Sequence, residues 1–251
     1  KEMRLADDKI INKKPDLRVL SLGAGVQSSA LLMKIYNGEI APVDVAIFAD
    51  TGNEPKEVYD WLDYLKKITK NKIDIRVVRN EKNTGNIVKD ILSPSGRFAS
   101  IPVYTINKDG SKGNTRRTCT YEYKITPINK EVRNILNVTN LRGKVVEVVM
   151  GISFDEIQRA KYPPNKWAVH CYPLVENKIT RHNCLHYFES LGFPTPPRSA
   201  CIICPYHDNK EWKRIKDKYP KEFAHAVEFD NKLRDKESKS QFVNKLDSEL
   251  Y

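Results

Sequence analysis

The 251-residue sequence contains no apolar run approaching the roughly 20 residues that a membrane-spanning helix requires. Residues 1–15 are too charged for a signal peptide, so we expect a cytoplasmic protein that has no membrane partner. No internal repeat or low-complexity linker interrupts the chain. With 40% hydrophobic residues it has enough apolar material for one good core and a small additional module.

Cysteine is scarce, and its number, five, is odd. Cys201 and Cys204 form a Cys-x2-Cys pair, which suits thiolate ligation in a reducing compartment better than a disulfide framework. Acidic residues are also in deficit, because 43 Lys and Arg against 32 Asp and Glu leave a net charge of +11. This charge favours polyanions such as nucleic acids or nucleotides, although solvated Lys/Glu-mixed helices explain part of it equally well.

Apolar patterning alternates between strands and helices, which predicts an α/β protein with a doubly wound parallel sheet. Residues 93–118 have little periodicity and are expected to form a long loop, and from about residue 171 the alternation gives way to Pro, Cys and helix signals. The predicted strands are 17–22, 43–49, 73–78 and 145–150; the predicted helices are 28–37 with Gly38 as C-cap, one beginning at Pro55, and about 83–92.

A Gly-rich turn, residues 23–29, follows the first predicted strand. Small residues let backbone amides close around an anion, and the hydroxyls of Ser28 and Ser29 can donate to it or cap the helix. The turn lacks the Gly-Lys-Ser/Thr of a Walker A sequence and a full Gly-x-Gly-x-x-Gly. Taken alone, it is also compatible with a simple tight connection.

The turn resembles the Ser-Gly-Gly-x-Asp-Ser loop of the PP-loop ATP pyrophosphatase superfamily, in its phosphoadenosine-phosphosulfate (PAPS) reductase-like branch. Gly23 stands at the first Ser, Ala24 at a Gly, and Gln27 at the Asp. The change at Gln27 bears on how Mg²⁺ and pyrophosphate are handled, and on whether the chain is catalytic.

Two further segments resemble the same branch. Residues 48–54 match its hydrophobic-Asp-Thr-Gly signature, which places Asp50, Thr51 and Gly52 near the adenosine; an ordinary turn with a helix cap is the alternative. Residues 150–159 match its Gly-Ile/Leu-Arg-x-x-Glu segment, with Glu156 as a Mg²⁺ ligand and Arg159 as a phosphate ligand, although acids in a first helical turn read equally well.

The resemblance implies a Rossmann-like, adenine nucleotide alpha hydrolase fold, with an ATP-binding domain at 1–170 and a Cys-rich helical subdomain at 171–251. It implies that Ser28, Arg117, Glu156 and Arg159 are catalytic and that the following residues bind ATP: Ser21, Gly23, Ala24, Gly25, Gln27, Ser28, Ser29, Asp50, Thr51, Gly52, Gly151 and Ser153.

A cysteine set is the second feature. Residues 115–127 resemble the substrate-facing segment of PAPS and APS reductases, where Arg116, Arg117 and Lys124 would contact phosphate and Cys119 would supply a thiolate. Cys184, Cys201 and Cys204 are spaced similarly to the cysteines that hold a four-iron cluster in the ATP pyrophosphatase component of DNA phosphorothioation systems. The fourth ligand stays open: Cys119 favours a [4Fe-4S] cluster, whereas Cys184, Cys201, Cys204 and His207 would make a zinc site.

These features predict an ATP pyrophosphatase that adenylates an acceptor in nucleic-acid sulfur modification, with DNA favoured over tRNA. A cysteine desulfurase or another sulfur donor is the expected protein partner, and a homodimer is left open. A sulfonucleotide reductase is disfavoured because no cysteine follows Cys204 in this sequence. A tRNA thiolation enzyme and a non-catalytic nucleotide-binding scaffold remain alternatives.

Overall fold

The computed structural model describes residues 3–81, 84–93, 101–106, 109–238 and 247–249. In chain order its elements are β1 (Arg4–Leu5), β2 (Leu17–Leu22), α1 (Val26–Tyr36), β3 (Val45–Ala49), α2 (Lys56–Thr69), β4 (Ile75–Val78), α3 (Ile87–Leu92), β5 (Tyr104–Ile106), β6 (Lys112–Asn114), a π-helical turn (Tyr121–Ile125), α4 (Thr126–Ile135), β7 (Val146–Met150), a 3₁₀ segment (Phe154–Arg159), β8 (Ala168–Cys171), α5 (Pro173–Glu176), α6 (Arg181–Ser190), α7 (Asn209–Lys218), α8 (Pro220–Ser238) and β9 (Asp247–Glu249).

The chain forms two compact units. The first consists of residues 1–49, 56–78 and 128–199, and the second of residues 50–55, 79–127 and 200–251. The units interleave along the chain. Residues 171–199 belong to the first unit because α6 packs its Cys184 and Phe188 into that unit's core.

The first unit contains a sheet in the order β1-β8-β7-β2-β3-β4. All neighbouring strands are parallel except β1, which pairs antiparallel with β8 at the edge. This confirms the α/β class with a mostly parallel sheet. The strands predicted at 17–22, 43–49, 73–78 and 145–150 are present with ends within two residues, whereas β1 and β8 were not predicted.

The sheet lies inside the first unit because β3 is apolar and buried on both faces. All five residues of β3 are buried, and β2 alternates only between buried and partly buried positions. α1 packs on one face through Leu31, Leu32 and Ile35, and Gly38, with φ of 78°, follows the helix in the left-handed conformation expected of a C-terminal glycine.

The second unit has its own core, in which α3 packs with α8. Ile87, Ile91, Tyr123, Phe229 and Leu233 are buried there, and Cys119 and Cys201 pack against them. α3 begins at Ile87, later than the predicted helix, because the side chain of Asn86 accepts a hydrogen bond from the Lys89 amide and caps it. Residues 82–83 lie outside the described residues.

The prediction of an irregular loop over 93–118 is wrong for part of that segment. β5 pairs antiparallel with both β6 and β9, so backbone pairing to a later part of the chain orders residues that have no periodic pattern. Residues 94–100 and 107–108 lie outside the described residues. No helix among the residues described is long and apolar enough to span a membrane.

Candidate functional site

The turn at residues 23–25 connects β2 to α1 at an edge of the sheet where parallel strands end. β2 pairs in parallel with both β3 and β7, so the carboxyl ends of the three strands lie at that edge; Ser21, near the end of β2, is paired with Ile47 and Met150. Gly25 is the N-cap of α1, and no side chain caps the first turn of this helix. Unsatisfied amides at a helix N-terminus favour an anionic ligand.

The turn is held closed by Ser28. Its Oγ accepts a hydrogen bond of 3.2 Å from the Gly23 amide and donates one of 3.4 Å to the Gly25 carbonyl. Ala24 lies between these residues with φ of 54°, a left-handed conformation that is unusual for alanine. The Ser28 hydrogen bonds therefore set the backbone conformation of the turn. The strained residue, Ala24, lies within the phosphate loop predicted from the sequence.

Close approach of β7 explains Gly151. A Cβ atom at this position would lie 2.6 Å from the Cα and 2.7 Å from the amide nitrogen of Ser28, so only glycine fits. On the other side of the turn, a Cβ at Gly25 would lie 3.0 Å from Cβ of Ser199, and the Ser199 hydroxyl donates to the Gly23 carbonyl. The turn is packed between the end of β7 and Ser199, a residue that sequence reasoning did not assign to it.

Ser29 is placed differently from the predicted phosphate contact. Its hydroxyl accepts a 2.9 Å hydrogen bond from the indole nitrogen of Trp61 on α2, and its amide donates to the Gly25 carbonyl. The side chain is fully buried. Ser29 therefore joins α1 to α2 inside the core.

A polar network runs from the turn to the segment after β7. Arg181 Nη1 donates to Gln27 Oε1 at 2.9 Å, and Gln27 Nε2 donates to Glu156 Oε2 at 3.3 Å. Arg159 Nη1 reaches the same Glu156 oxygen at 2.6 Å. The structure thus brings together Gln27, Glu156 and Arg159, all predicted site residues, and adds Arg181 at the start of α6.

Asp155 ties this network to α6. Its Oδ1 accepts a 2.9 Å hydrogen bond from the Arg181 amide. Burial opposes ionisation of Asp155, but the nearby Ser153 hydroxyl and the Arg181 amide outweigh it and hold the pKa of the carboxyl below its ordinary value. Ser153 is fully buried.

The Asp50-Thr51-Gly52 segment is held in place by contacts with other residues of the second unit. Asp50 Oδ1 accepts from the Gly52 amide and Oδ2 from Arg79, at 2.7 and 2.8 Å. Gly52 has φ of 70°, and a Cβ there would lie 2.6 Å from the Gly85 carbonyl oxygen. Asp50 is 1% exposed, and its carboxylate stabilises the loop conformation. A nucleotide at this loop would therefore contact backbone atoms rather than the Asp50 carboxylate.

Thr51 belongs to a buried polar group centred on Glu54. Glu54 Oε1 accepts from Thr51 Oγ1 at 3.0 Å, the thiol of Cys201 lies 3.7 Å from the same oxygen, and Lys124 Nζ lies 3.9 Å away. Glu54 raises the pKa of Lys124, against the opposing effect of burial. Sequence reasoning gave Lys124 a phosphate role and no role to Glu54, because nothing local indicates this pairing.

Three of the predicted cysteine ligands lie in the second unit: Cys119, Cys201 and Cys204. Burial raises the pKa of the Cys201 and Cys204 thiols. Cys119 raises the pKa of Cys204 further, whereas Arg117 and Lys124 lower it, so these groups are within electrostatic range of one another.

The knuckle at Cys201 and Cys204 is a closed turn. The Cys204 amide donates to the Cys201 carbonyl at 3.0 Å, and His207 Nε2 lies 3.0 Å from the same carbonyl oxygen. His207 also packs edge-on against Trp212. The imidazole therefore supports the knuckle backbone.

Cys184 lies in the hydrophobic core of the first unit and is fully buried. Burial raises the pKa of its thiol to about 11. Cys171 is also buried in that core. Across the ranges described, no three His, Cys, Asp or Glu side chains converge on a point where they could hold one metal ion.

Solved structures whose chain path is similar include a reductase and a thiolase. No protein-family model and no curated protein matches the chain. The PAPS reductase of Candida auris, solved as a phosphate complex, is 13% identical with a TM-score of 0.47, over 75% of this chain and 78% of the reductase. The U34-tRNA thiolase NcsA of Methanococcus maripaludis, with its [4Fe-4S] cluster, is 15% identical with a TM-score of 0.46, over 88% of this chain and 73% of the thiolase. Values this low do not assign a family or an activity.

Proposed function

We propose that this chain binds ATP at the turn between β2 and α1 and cleaves it between the α and β phosphates, transferring adenylate to an acceptor. One observation carries the proposal. The uncapped N-terminus of α1 stands at the carboxyl edge of a parallel sheet, and Gly151 leaves no space for a Cβ beside Ser28. This arrangement supports binding of a polyphosphate through backbone amides.

The Gln27 network supports the roles proposed for Glu156 and Arg159. Arg159 is 61% exposed and Glu156 30% exposed, and ion pairs of such exposure are weak. Both side chains are therefore available to a ligand: Glu156 would hold Mg²⁺, and Arg159 would contact a phosphate oxygen. Catalysis of in-line attack at phosphorus consists mainly of positioning and charge neutralisation, to which we assign Ser28 and Arg159.

For the metal site we propose a [4Fe-4S] cluster held by Cys119, Cys201 and Cys204. These thiols share one unit and lie beside Lys124 and Arg117, whose charges favour thiolates. When bound, such a cluster would be held by these three cysteines and would supply iron for sulfur chemistry.

The acceptor we propose is a nucleic acid, with DNA ahead of tRNA, and a cysteine desulfurase or another sulfur donor as protein partner. The net charge of +11 supports a polyanionic acceptor. A zinc knuckle made by Cys184, Cys201, Cys204 and His207 is less well supported, because His207 already engages the Cys201 carbonyl and Cys184 lies in an apolar core.

Pyrophosphate release from ATP tests the activity, with nucleic acid and sulfur donor present. Ser28→Trp and Gly25→Val should abolish release, while Ser190→Ala, an exposed serine on α6, should leave it unchanged. Release that persists in both turn variants removes this turn as the site. ATP bound tightly without turnover under all conditions would support a non-catalytic scaffold.

Anaerobic purification with iron, sulfide and zinc analysis tests the metal. We expect a brown protein whose iron is lost in Cys119→Ser and Cys204→Ser and kept in Cys184→Ala. A colourless protein holding one zinc that disappears in Cys184→Ala would replace the cluster by the zinc knuckle.

A further inference from the structure

Two exposed tyrosines flank the cysteines of the second unit. Tyr121 follows Cys119 by two positions and is 61% exposed, and Tyr206 follows Cys204 by two positions and is 40% exposed. The guanidinium carbon of Arg117 lies 5.5 Å from the centroid of the Tyr206 ring. Large aromatic rings left open to solvent beside a cation are a common feature of binding surfaces.

The fold holds Tyr121 in this position. It begins the π-helical turn, in which Tyr123 points inward, is 1% exposed and donates a 2.7 Å hydrogen bond to Asp90 Oδ2. Single π-helical turns are rare and are frequently found at functional sites. Because Tyr123 anchors the turn, Tyr121 lies on its outer side.

The turn formed by Cys201 and Cys204 holds Tyr206 in an exposed position. On one side the Cys204 amide bonds to the Cys201 carbonyl, and on the other the His207 amide donates to the Cys204 carbonyl at 3.2 Å. His207 is 7% exposed. Tyr206 therefore stands exposed between two fixed backbone positions, which reduces the entropy lost when a ligand contacts it.

The charge of this surface is positive. Arg116 and Arg117 are both exposed, and the Arg117 guanidinium lies against the Tyr206 ring, two residues after Cys204. Guanidinium groups bind phosphate oxygens, and nucleobases stack on tyrosine and arginine planes. An acidic peptide would use the arginines without the rings, and a duplex keeps its base faces covered.

We propose that Tyr121, Tyr206 and Arg117 form a stacking platform for an unpaired nucleobase, which positions a single-stranded or flipped-out nucleotide of the acceptor beside Cys119 and Cys204. The proposal rests on the proposed function in that the acceptor is a nucleic acid. It specifies which form of nucleic acid binds: an unstacked nucleotide with its 5′ and 3′ phosphates near Arg116 and Arg117.

Fluorescence anisotropy with labelled single strands of about 12 nucleotides, DNA and RNA, and with a blunt duplex of the same sequence tests the platform. We expect single strands to bind more tightly than the duplex, and Tyr206→Ala and Tyr121→Ala each to weaken single-strand binding about tenfold. Tyr206→Phe keeps the ring and should bind like wild type, whereas Tyr206→Leu should not. Tyr162→Ala, which removes a tyrosine 69% exposed in the first unit, is the matched control.

Equal affinity for duplex and single strand, or unchanged binding in Tyr206→Ala and Tyr121→Ala, would overturn the platform. A second result would also overturn it: polyglutamate competes with the single strands for wild-type protein, and the same tyrosine variants weaken this competition. That result would assign the surface to an acidic protein. Binding of a non-hydrolysable ATP analogue is measured on every variant. If the tyrosine variants lose single-strand binding but still bind the analogue, the platform is supported. If wild-type protein binds single strands through the tyrosines but does not bind the analogue, only the proposed ATP site is contradicted.

Discussion

Arg181 Nη1 donates a 2.9 Å hydrogen bond to Oε1 of Gln27, the residue that stands where the PP-loop pattern has an aspartate. The bond fixes the amide so that its nitrogen points to Glu156. The neutral Gln27 side chain therefore pairs with the cationic Arg181. This pairing gives Gln27 a defined orientation although it lacks the carboxylate of an aspartate.

Arg181→Ala should lower pyrophosphate release about tenfold or more, because Gln27 and Glu156 lose their orientation. Arg181→Lys should recover part of the activity, since it keeps the charge but not the planar geometry. In a double-mutant cycle with Gln27→Ala, the double variant should be no worse than Arg181→Ala alone. Additive losses would mean that Arg181 acts independently of Gln27.

Ser28→Ala should mainly reduce activity, whereas Ser29→Ala should mainly reduce stability. The first removes the hydroxyl that closes the turn and should reduce activity at nearly unchanged stability. The second leaves the Trp61 indole N–H without its acceptor in the core and should lower the free energy of unfolding by about 1–3 kcal/mol. Pyrophosphate release per folded molecule and urea unfolding measure the two effects; a purely catalytic defect in Ser29→Ala would contradict the structural role.

Gly151→Ala should weaken ATP binding and cost about 1–3 kcal/mol of stability, because the added methyl meets the backbone of Ser28. Gly143→Ala is the comparison, since no atom lies within 4 Å of a Cβ there although its φ is 79°. Titration calorimetry with an ATP analogue should detect a loss of affinity only in the first variant. Normal affinity in Gly151→Ala would show that the end of β7 does not shape the turn.

Cys184 should make stability depend on pH in the alkaline range. Its pKa is raised from 9.0 to about 11, so the folded state holds a proton that the unfolded state releases. The stabilisation is complete below pH 9 and should be lost between about pH 9 and 11, to an extent of roughly 2–3 kcal/mol. Urea titrations across this range should give a steeper decline for wild type than for Cys184→Ala; equal slopes would mean that the thiol titrates normally.

Most of the parallel sheet could be predicted, because strands such as Val45–Ala49 are apolar at every position and end in recognisable turns. β8 was missed because its four residues include His170, and β5 because one of its two partners, β9, comes from a distant part of the chain. The turn, Gly151, Glu156 and Arg159 could be found from local motifs. Arg181 could not, because it contacts Gln27 across 154 positions of sequence.

The alternation of the two units along the chain has a practical consequence for dissecting this protein. Each unit takes its residues from three separate stretches, so no single cut releases either one whole. A fragment ending at residue 170 would lack α6, whose Phe188 and Cys184 fill the core over α1. Point substitutions, rather than truncations, are therefore the means by which the turn after β2 and the cysteines of the second unit can be tested separately.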